Sequence, residues 1–327
     1  MGKLLTYRTI LVTGGAGFMG SHLVDKLIKN EKEVCVFDNL SSGSLENIKQ
    51  WLGRPCFRFV RGDLLNQADI VKAVEDCDII FHLAANPEVR VGSVSPSIHF
   101  EQNVVTTHNL LEAIRKSANI KVLVFTSSST VYGDAEKIPT PEDYAPMKPI
   151  SVYGASKLAS EALICAYAHT YGFRTVIFRL ANIVGSRSKH GVVYDFIKKL
   201  KENPRELEIL GDGTQTKSYL HIDDCIEAML LCVEKSSTQF EVFNLGSEDW
   251  IDVKAIAKIV IEEMGLQDVT LRLTGGVDGG RGWKGDVKYM LLDCGKLKAL
   301  GWEPKLNSAQ AVKSTAQNIL RELDQKT

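Results

Sequence analysis

Tyr153-Gly-Ala-Ser-Lys157 is the stretch whose residue types and spacing point most directly to chemistry. Residues four apart share one face of a helix, so a phenol and an ammonium would project together. The nearby positive charge favours phenolate over phenol and is expected to lower the Tyr153 pKa from its unperturbed value of ~10. A phenolate so placed takes a proton from a substrate hydroxyl while hydride leaves the same carbon for a nicotinamide; Lys157 can also hold the nicotinamide ribose. Upstream, the run Thr126-Ser-Ser-Ser-Thr130 supplies a hydroxyl to polarise the substrate oxygen. By spacing that hydroxyl is Ser128, with Thr130 also in the site.

Such chemistry requires elements that hold a dinucleotide beside the pair. Ile10 to Val12 reads as a short buried strand, and Gly14, Gly17 and Gly20 follow as G-x-x-G-x-x-G. Phe18, His22, Leu23, Leu27 and Ile28 then recur at helical spacing, so the glycines sit where a strand meets a helix N-terminus, the place for a pyrophosphate. A second apolar run, Val34 to Phe37, ends at Asp38, a carboxylate suited to the adenosine ribose hydroxyls. No Arg or Lys lies between Asp38 and Ile48, which indicates NAD and not NADP. Asp63 follows the third strand, where it either reaches the adenine amine or caps a helix. The small residues after the fourth strand, Ala84 and Ala85, leave space at its carboxyl end. The candidate cofactor contacts are Gly14, Gly17, Phe18, Met19, Gly20, Asp38, Asn39, Asp63, Leu64, Leu83, Ala84, Ala85, Asn103, Ser127, Tyr153 and Lys157.

Composition narrows the class. The chain has 327 residues, 44% apolar and 24% charged, with a formal net charge of -1, so charge gives no reason to expect a nucleic-acid or acidic-lipid partner. Its seven cysteines are scattered with no C-x-x-C pair, most of them within apolar runs. They read as small buried hydrophobes in a reducing compartment, with neither disulfides nor a metal site implied. The first strand begins within about ten residues, leaving no room for a signal peptide, and no apolar run approaches the ~18 residues of a membrane helix. The expectation is a cytoplasmic protein.

Strand and helix alternate as far as Leu180 without a hairpin signal. An amphipathic helix is expected around Leu45 to Trp51, a long helix over Ser97 to Ser117, and another from Ser151 to about Tyr171. This pattern predicts an α/β, Rossmann-type doubly wound parallel sheet over 1–181, with the return of segments of about 212–250 to it as an alternative. Residues 182–327 are expected to form a smaller α/β lobe that binds substrate and closes a cleft over the sheet's carboxyl edge; the strand over Glu241 to Leu245 is placed there.

Several motifs together resemble the extended short-chain dehydrogenases/reductases of the nucleotide-sugar epimerase/dehydratase group. They are Thr13-Gly-Gly-Ala-Gly-Phe-Met-Gly, Asp38-Asn-Leu, Gly62-Asp-Leu, His82-Leu-Ala-Ala, Ser127-Ser-Ser-Thr-Val-Tyr-Gly-Asp, Tyr153-Gly-Ala-Ser-Lys, Arg179-Leu-Ala-Asn, Gly211-Asp-Gly-Thr-Gln, Tyr219-Leu-His-Ile-Asp and Gly285-Asp. The resemblance implies a bound NAD, a UDP-sugar substrate and C4 epimerisation of a UDP-hexose (UDP-galactose/UDP-glucose) through a 4-keto sugar. It further implies that Ser128 assists Tyr153, Lys157 tunes it, Asn182 contacts the phosphates, and Val193 and the region of Leu210 hold the uridine. Met290 falls where the group sets hexose-pocket width. Relatives usually form homodimers through two long helices, here Ser97 to Ser117 and Val152 to Tyr171.

The chain departs from the group's pattern in places. Lys217-Ser218 stands where Arg-Asp is usual, and Trp283 where many relatives have Arg, which makes Lys217 and Arg281 the candidate diphosphate contacts. Dehydratases carry an Asp-Glu pair after the strand-five Thr; here those places hold hydroxyl residues and Val131, so elimination lacks its acid and base. The alternatives are a UDP-glucuronate or UDP-N-acetylhexosamine 4-epimerase, a dehydratase or reductase of the same group, and a regulatory NAD-binding protein without turnover.

Overall fold

The computed structural model describes residues 7–324. The first apolar run forms β1 (Thr9–Thr13), buried along all but its first residue. The glycine turn passes the chain to α1 (Phe18–Lys29), whose buried Gly20, Leu23, Val24 and Leu27 form the helical stripe read from the sequence. Next come β2 (Glu33–Asp38), β3 (Phe57–Arg61), α2 (Gln67–Val74) and β4 (Ile79–His82). Then α3 (Pro96–His99), a π-helical segment over Phe100–Val105 and α4 (Thr106–Lys116) lead to β5 (Val122–Ser128), α5 (Val152–Tyr171) and β6 (Arg174–Leu180). The remainder comprises β7 (Asn182–Val184), α6 (Val192–Glu202), β8 (Glu206–Ile209), β9 (Thr216–Lys217), β10 (Tyr219–His221), α7 (Ile222–Lys235) and β11 (Phe240–Leu245). It ends with β12 (Ile251–Asp252), α8 (Val253–Glu263), β13 (Thr270–Leu273), β14 (Tyr289–Met290), α9 (Gly295–Lys298) and α10 (Ser308–Asp324).

Seven strands form one sheet in the order β11-β6-β5-β4-β1-β2-β3, and every pair from β3 to β5 is parallel. This is a Rossmann-type α/β fold. The chain builds outward from β1 to β3, then returns to lay β4 against the other side of β1. Ligands of open parallel sheets bind at that reversal, beyond the strands' carboxyl ends, and the glycine turn and Ala84 lie there. A core of Leu11, Phe37, Ile70, Ile80, Leu123, Phe125 and Ile177 binds the sheet to its helices.

The chain divides into two compact units: Met1–Val131, Val152–Arg179 and Ile226–Phe243 in one, and Tyr132–Ser151, Leu180–Cys225 and Asn244–Thr327 in the other. The second has its own core, in which α6, α8 and α10 bury Phe196, Ile197, Ile256, Val260, Val312 and Ile319.

Four local expectations need correction. Leu45 to Trp51 is not an α-helix but two 3-10 turns, Leu45–Asn47 and Lys49–Trp51. There Asn47 and Trp51 turn back to bond the Ala16 carbonyl and the Asp25 carboxylate, which draws the stretch out of helical register. Asp63 caps no helix, because Asn66 caps α2 through the Ala68 N–H. The strand placed in the smaller lobe at Glu241 to Leu245 is instead β11 of the large sheet, beside β6, in line with the alternative that part of 212–250 returns to that sheet. The surface loop after β5, placed in sequence with residues 1–181, packs with the second unit. The seven cysteines are free thiols, five of them buried. Among the described residues no helix is long and apolar enough to cross a membrane. The expectation about a signal peptide falls partly on residues 1–6, outside the described residues.

Candidate active site

Ser128, Tyr153 and Lys157 come together where β5 ends beside the first turns of α5. The Ser128 Oγ accepts bonds from the Thr130 N–H at 3.2 Å and the Thr130 hydroxyl at 3.0 Å. A serine hydroxyl has two lone pairs and one proton. With both lone pairs occupied, the hydroxyl proton remains available, and Ser128 acts to lower the Tyr153 pKa. Thr130 thereby aims Ser128.

The charges differ from expectation. Burial pushes the Tyr153 phenol up to about 12, and the Ser128 bond opposes that rise. Lys157, 3% exposed, is pushed down to about 8 by its own burial, opposed by the Glu161 carboxylate. The expected lowering of Tyr153 by Lys157 is therefore not found. The reason is geometric: the Lys157 ammonium donates to the Thr126 carbonyl at 2.8 Å and lies 5.9 Å from the Tyr153 ring centre.

The glycine turn is built by close approach. Gly14 has φ +68°, and a Cβ there would lie 2.8 Å from the Ala84 nitrogen; a Cβ on Gly20 would lie 2.1 Å from the Gly14 carbonyl oxygen. Gly17 begins α1 with no side-chain cap, and no acid occupies the first turn. Asp38 accepts from the Ala16 N–H at 3.0 Å and the Leu40 N–H at 2.8 Å, so it also braces this turn. Burial raises its pKa and those two bonds oppose the rise. Asn39 donates to Asp63 at 3.1 Å, tying the ends of β2 and β3.

Residues 10–246 match the NAD dependent epimerase/dehydratase family. The chain belongs to that family. A putative UDP-glucose 4-epimerase of Methanocaldococcus jannaschii is 33% identical over 310 residues, covering 93% of this chain and 96% of that protein. UDP-glucuronic acid decarboxylase 6 of Arabidopsis thaliana is 34% identical over 306 residues, 91% of this chain and 84% of that protein. A crystal structure of a UDP-galactose 4-epimerase superposes with a TM-score of 0.85 at 46% identity, covering 96% of this chain and 99% of that one.

The cofactor of the family is NAD, and the turn suits its pyrophosphate. An uncapped helix N-terminus offers backbone N–H donors and the positive end of the dipole, with no acid in the first turn to repel phosphate. Three candidate cofactor residues are otherwise engaged. The Leu64 side chain is buried in the core of the sheet. Asn103 accepts from the Asn86 N–H at 2.9 Å and donates to the Ser156 hydroxyl at 2.8 Å, bracing the segment after β4 against α5. Ser127 gives its hydroxyl proton to Glu161.

The candidate substrate residues of the second unit have partners of their own. Lys217 pairs with Asp286 at 2.6 Å and lies 5.5 Å from the Trp283 ring centre. Arg281 grips Asp134 with two bonds, 3.0 and 2.8 Å, and bonds the Asp286 carbonyl as well. The Asn182 amide donates to the Ser218 carbonyl at 3.0 Å, and the Leu210 carbonyl accepts from Gln215 at 2.8 Å. Met290, 7% exposed, pairs with Lys217 across β14 and β9, and the Val193 side chain belongs to the second core.

Sequence reasoning assigned no role to Thr126, whose carbonyl anchors Lys157, nor to Glu161, His82 and His99. The His82 ring bonds the Thr13 hydroxyl at 2.8 Å and the Thr107 hydroxyl at 3.1 Å, and the His99 ring meets the Tyr153 ring edge-on at 5.5 Å. Only Glu161 left a signal, its spacing of four from Lys157.

Proposed function

We propose that this family member is an NAD-dependent UDP-hexose 4-epimerase that interconverts UDP-galactose and UDP-glucose through a 4-keto sugar. The supporting observation is the end of β5: there Thr130 holds the Ser128 hydroxyl, which acts to lower the Tyr153 pKa, and no carboxylic acid occurs from Ser127 to Gly133. A proton shuttle for redox at one carbon is present, and an acid–base pair for elimination is absent from that segment.

In this reading Tyr153 takes the C4 hydroxyl proton and later returns it, while Ser128 gives its one proton to the Tyr153 oxygen and steadies the phenolate. NAD held at the glycine turn would supply the hydride acceptor and donor for C4 and, oxidised, a positive ring that would favour the Tyr153 phenolate. Lys157 holds positive charge behind the phenol and bonds the nicotinamide ribose. The NAD contacts are the glycine turn (Gly14, Gly17, Phe18, Met19, Gly20), Asp38, Asn39, Asp63, Leu83, Ala84 and Ala85. Asn182, Lys217 and Arg281 contact the diphosphate, the backbone at Val193 and Leu210 holds the uridine, and Met290 borders the hexose. The working form is a cytoplasmic homodimer paired through Ser97 to Ser117 and α5, where Phe100 is 59% exposed; light scattering that gives a monomer mass retires that assembly.

Similarity to a UDP-glucuronic acid decarboxylase favours uronic sugars as the second reading. Purified protein is mixed with UDP-galactose and assayed for UDP-glucose with no NAD added, then with UDP-glucuronate and the N-acetylated sugars. Conversion of UDP-galactose without added NAD is expected. No conversion, or conversion only with stoichiometric consumption of NAD, retires the epimerase reading.

A further inference from the structure

Tyr153, Lys157 and Glu161 recur every fourth residue on α5, so the carboxylate lies one turn beyond the lysine on the same face. Glu161 is 5% exposed. Arg179 of β6 grips it, with Nη2 donating to Oε2 at 2.8 Å and Nε to the two oxygens at 3.1 and 3.2 Å. The same carboxylate accepts the hydroxyl proton of Ser127, the residue before Ser128. Replacing a buried ion pair with apolar side chains of similar volume is often neutral or stabilising, so stability alone is a weak reason for this one. Its location supplies a better reason, because it joins the end of β5, the middle of α5 and the end of β6 around the proton-transfer residues.

We infer that Glu161 is a positioning residue for the Tyr153–Lys157 pair: its charge keeps Lys157 an ammonium, and its bond to Ser127 fixes the strand end that presents Ser128. The inference rests on those two residues as the proton-transfer pair. The other ionisable groups around Lys157 do not favour its charge. Burial pushes the His82 imidazole of β4 and the His99 imidazole of α3 down, and Lys157 pushes both further the same way. From β5, Lys157 meets the Phe125 ring at 4.8 Å and the Thr126 carbonyl. Arg179 shares this carboxylate, so losing Glu161 removes the anion that both cations face.

The test reads Lys157 directly and needs no substrate. Protein labelled with carbon-13 at the lysine Cε is titrated by NMR, the Lys157 signal being assigned by its loss in Lys157→Met. In Glu161→Gln the Lys157 midpoint is expected to fall from about 8 by roughly one pH unit, a tenfold loss of ammonium relative to amine at fixed pH. Glu161→Asp keeps the charge and restores most of the shift. If Glu161→Gln does not fold, Glu161→Gln with Arg179→Met takes its place, with a fall in the same direction but smaller, because the Arg179 charge goes as well. An unmoved midpoint overturns the inference, as does an equal fall in a folded Glu161→Asp. Because the titration requires no turnover, it is decided separately from the UDP-galactose assay. Where turnover is measured, the alkaline limb of its pH profile shifts with the same midpoint.

Discussion

Replacing Ser128 with Ala tests the proton-transfer geometry most sharply. The hydroxyl takes two bonds from Thr130 and has one proton to give, which in the proposed reading goes to the Tyr153 oxygen, whose pKa Ser128 acts to lower. A hydrogen bond to a charged group contributes roughly 1.5–3 kcal/mol, and this one acts on the phenolate. At about 1.4 kcal/mol per factor of ten, its loss lowers kcat by roughly 10- to 150-fold. The Ser128 bond lowers the Tyr153 pKa, so its removal raises that pKa by roughly one to two pH units. Tyr153 must be deprotonated to act as a base, so the acid limb of kcat against pH moves to higher pH by the same amount. Thr130 is partly exposed, and water replaces the lost acceptor, so thermal stability changes by under about 1 kcal/mol. The assay is a pH–rate profile for UDP-galactose conversion, with a thermal melt and bound NAD measured by absorbance on the same sample. A fall in kcat of less than about threefold with an unmoved acid limb refutes the arrangement.

Three other substitutions probe separate parts of the site. Tyr153→Phe folds and retains NAD but loses at least about 10²- to 10⁴-fold in turnover, and a near-wild-type rate removes Tyr153 from proton transfer. Asp38→Ala leaves the Ala16 and Leu40 N–H groups without their acceptor, so the melting temperature drops by the equivalent of roughly 1–3 kcal/mol. The same variant weakens NAD and relaxes discrimination against NADP; an unchanged preference in a binding titration shows that Asp38 serves only the turn. Lys217→Met leaves Asp286, with a side chain 3% exposed, unpaired; the cost in chemical denaturation is roughly 2–3 kcal/mol, below the fully buried case because Lys217 keeps some contact with water.

Much of the fold and part of the site were legible in the chain because they depend on local rules. β-branched runs, glycines that no side chain could replace, and helical spacing act over a few residues. They located β1, the turn, α1, Asp38, and the shared face of Tyr153 and Lys157. The 3-10 turns at Leu45–Asn47 and Lys49–Trp51 escaped that reading because Trp51 bonds a carboxylate 26 residues away.

Sequence by itself determined which chemical groups are available and which of them share an element, including the third member of the α5 series, Glu161. Tertiary structure decided their states. Whether Lys157 faces the phenol or the Thr126 carbonyl, and whether burial raises or lowers Tyr153, depends on strands and helices that pack around α5 from distant parts of the chain. It also decided that Asn103 braces Ser156 across 53 residues and that β11 joins the large sheet. Propensity and periodicity act between near neighbours, whereas desolvation and hydrogen-bond partnership depend on what the folded chain brings alongside.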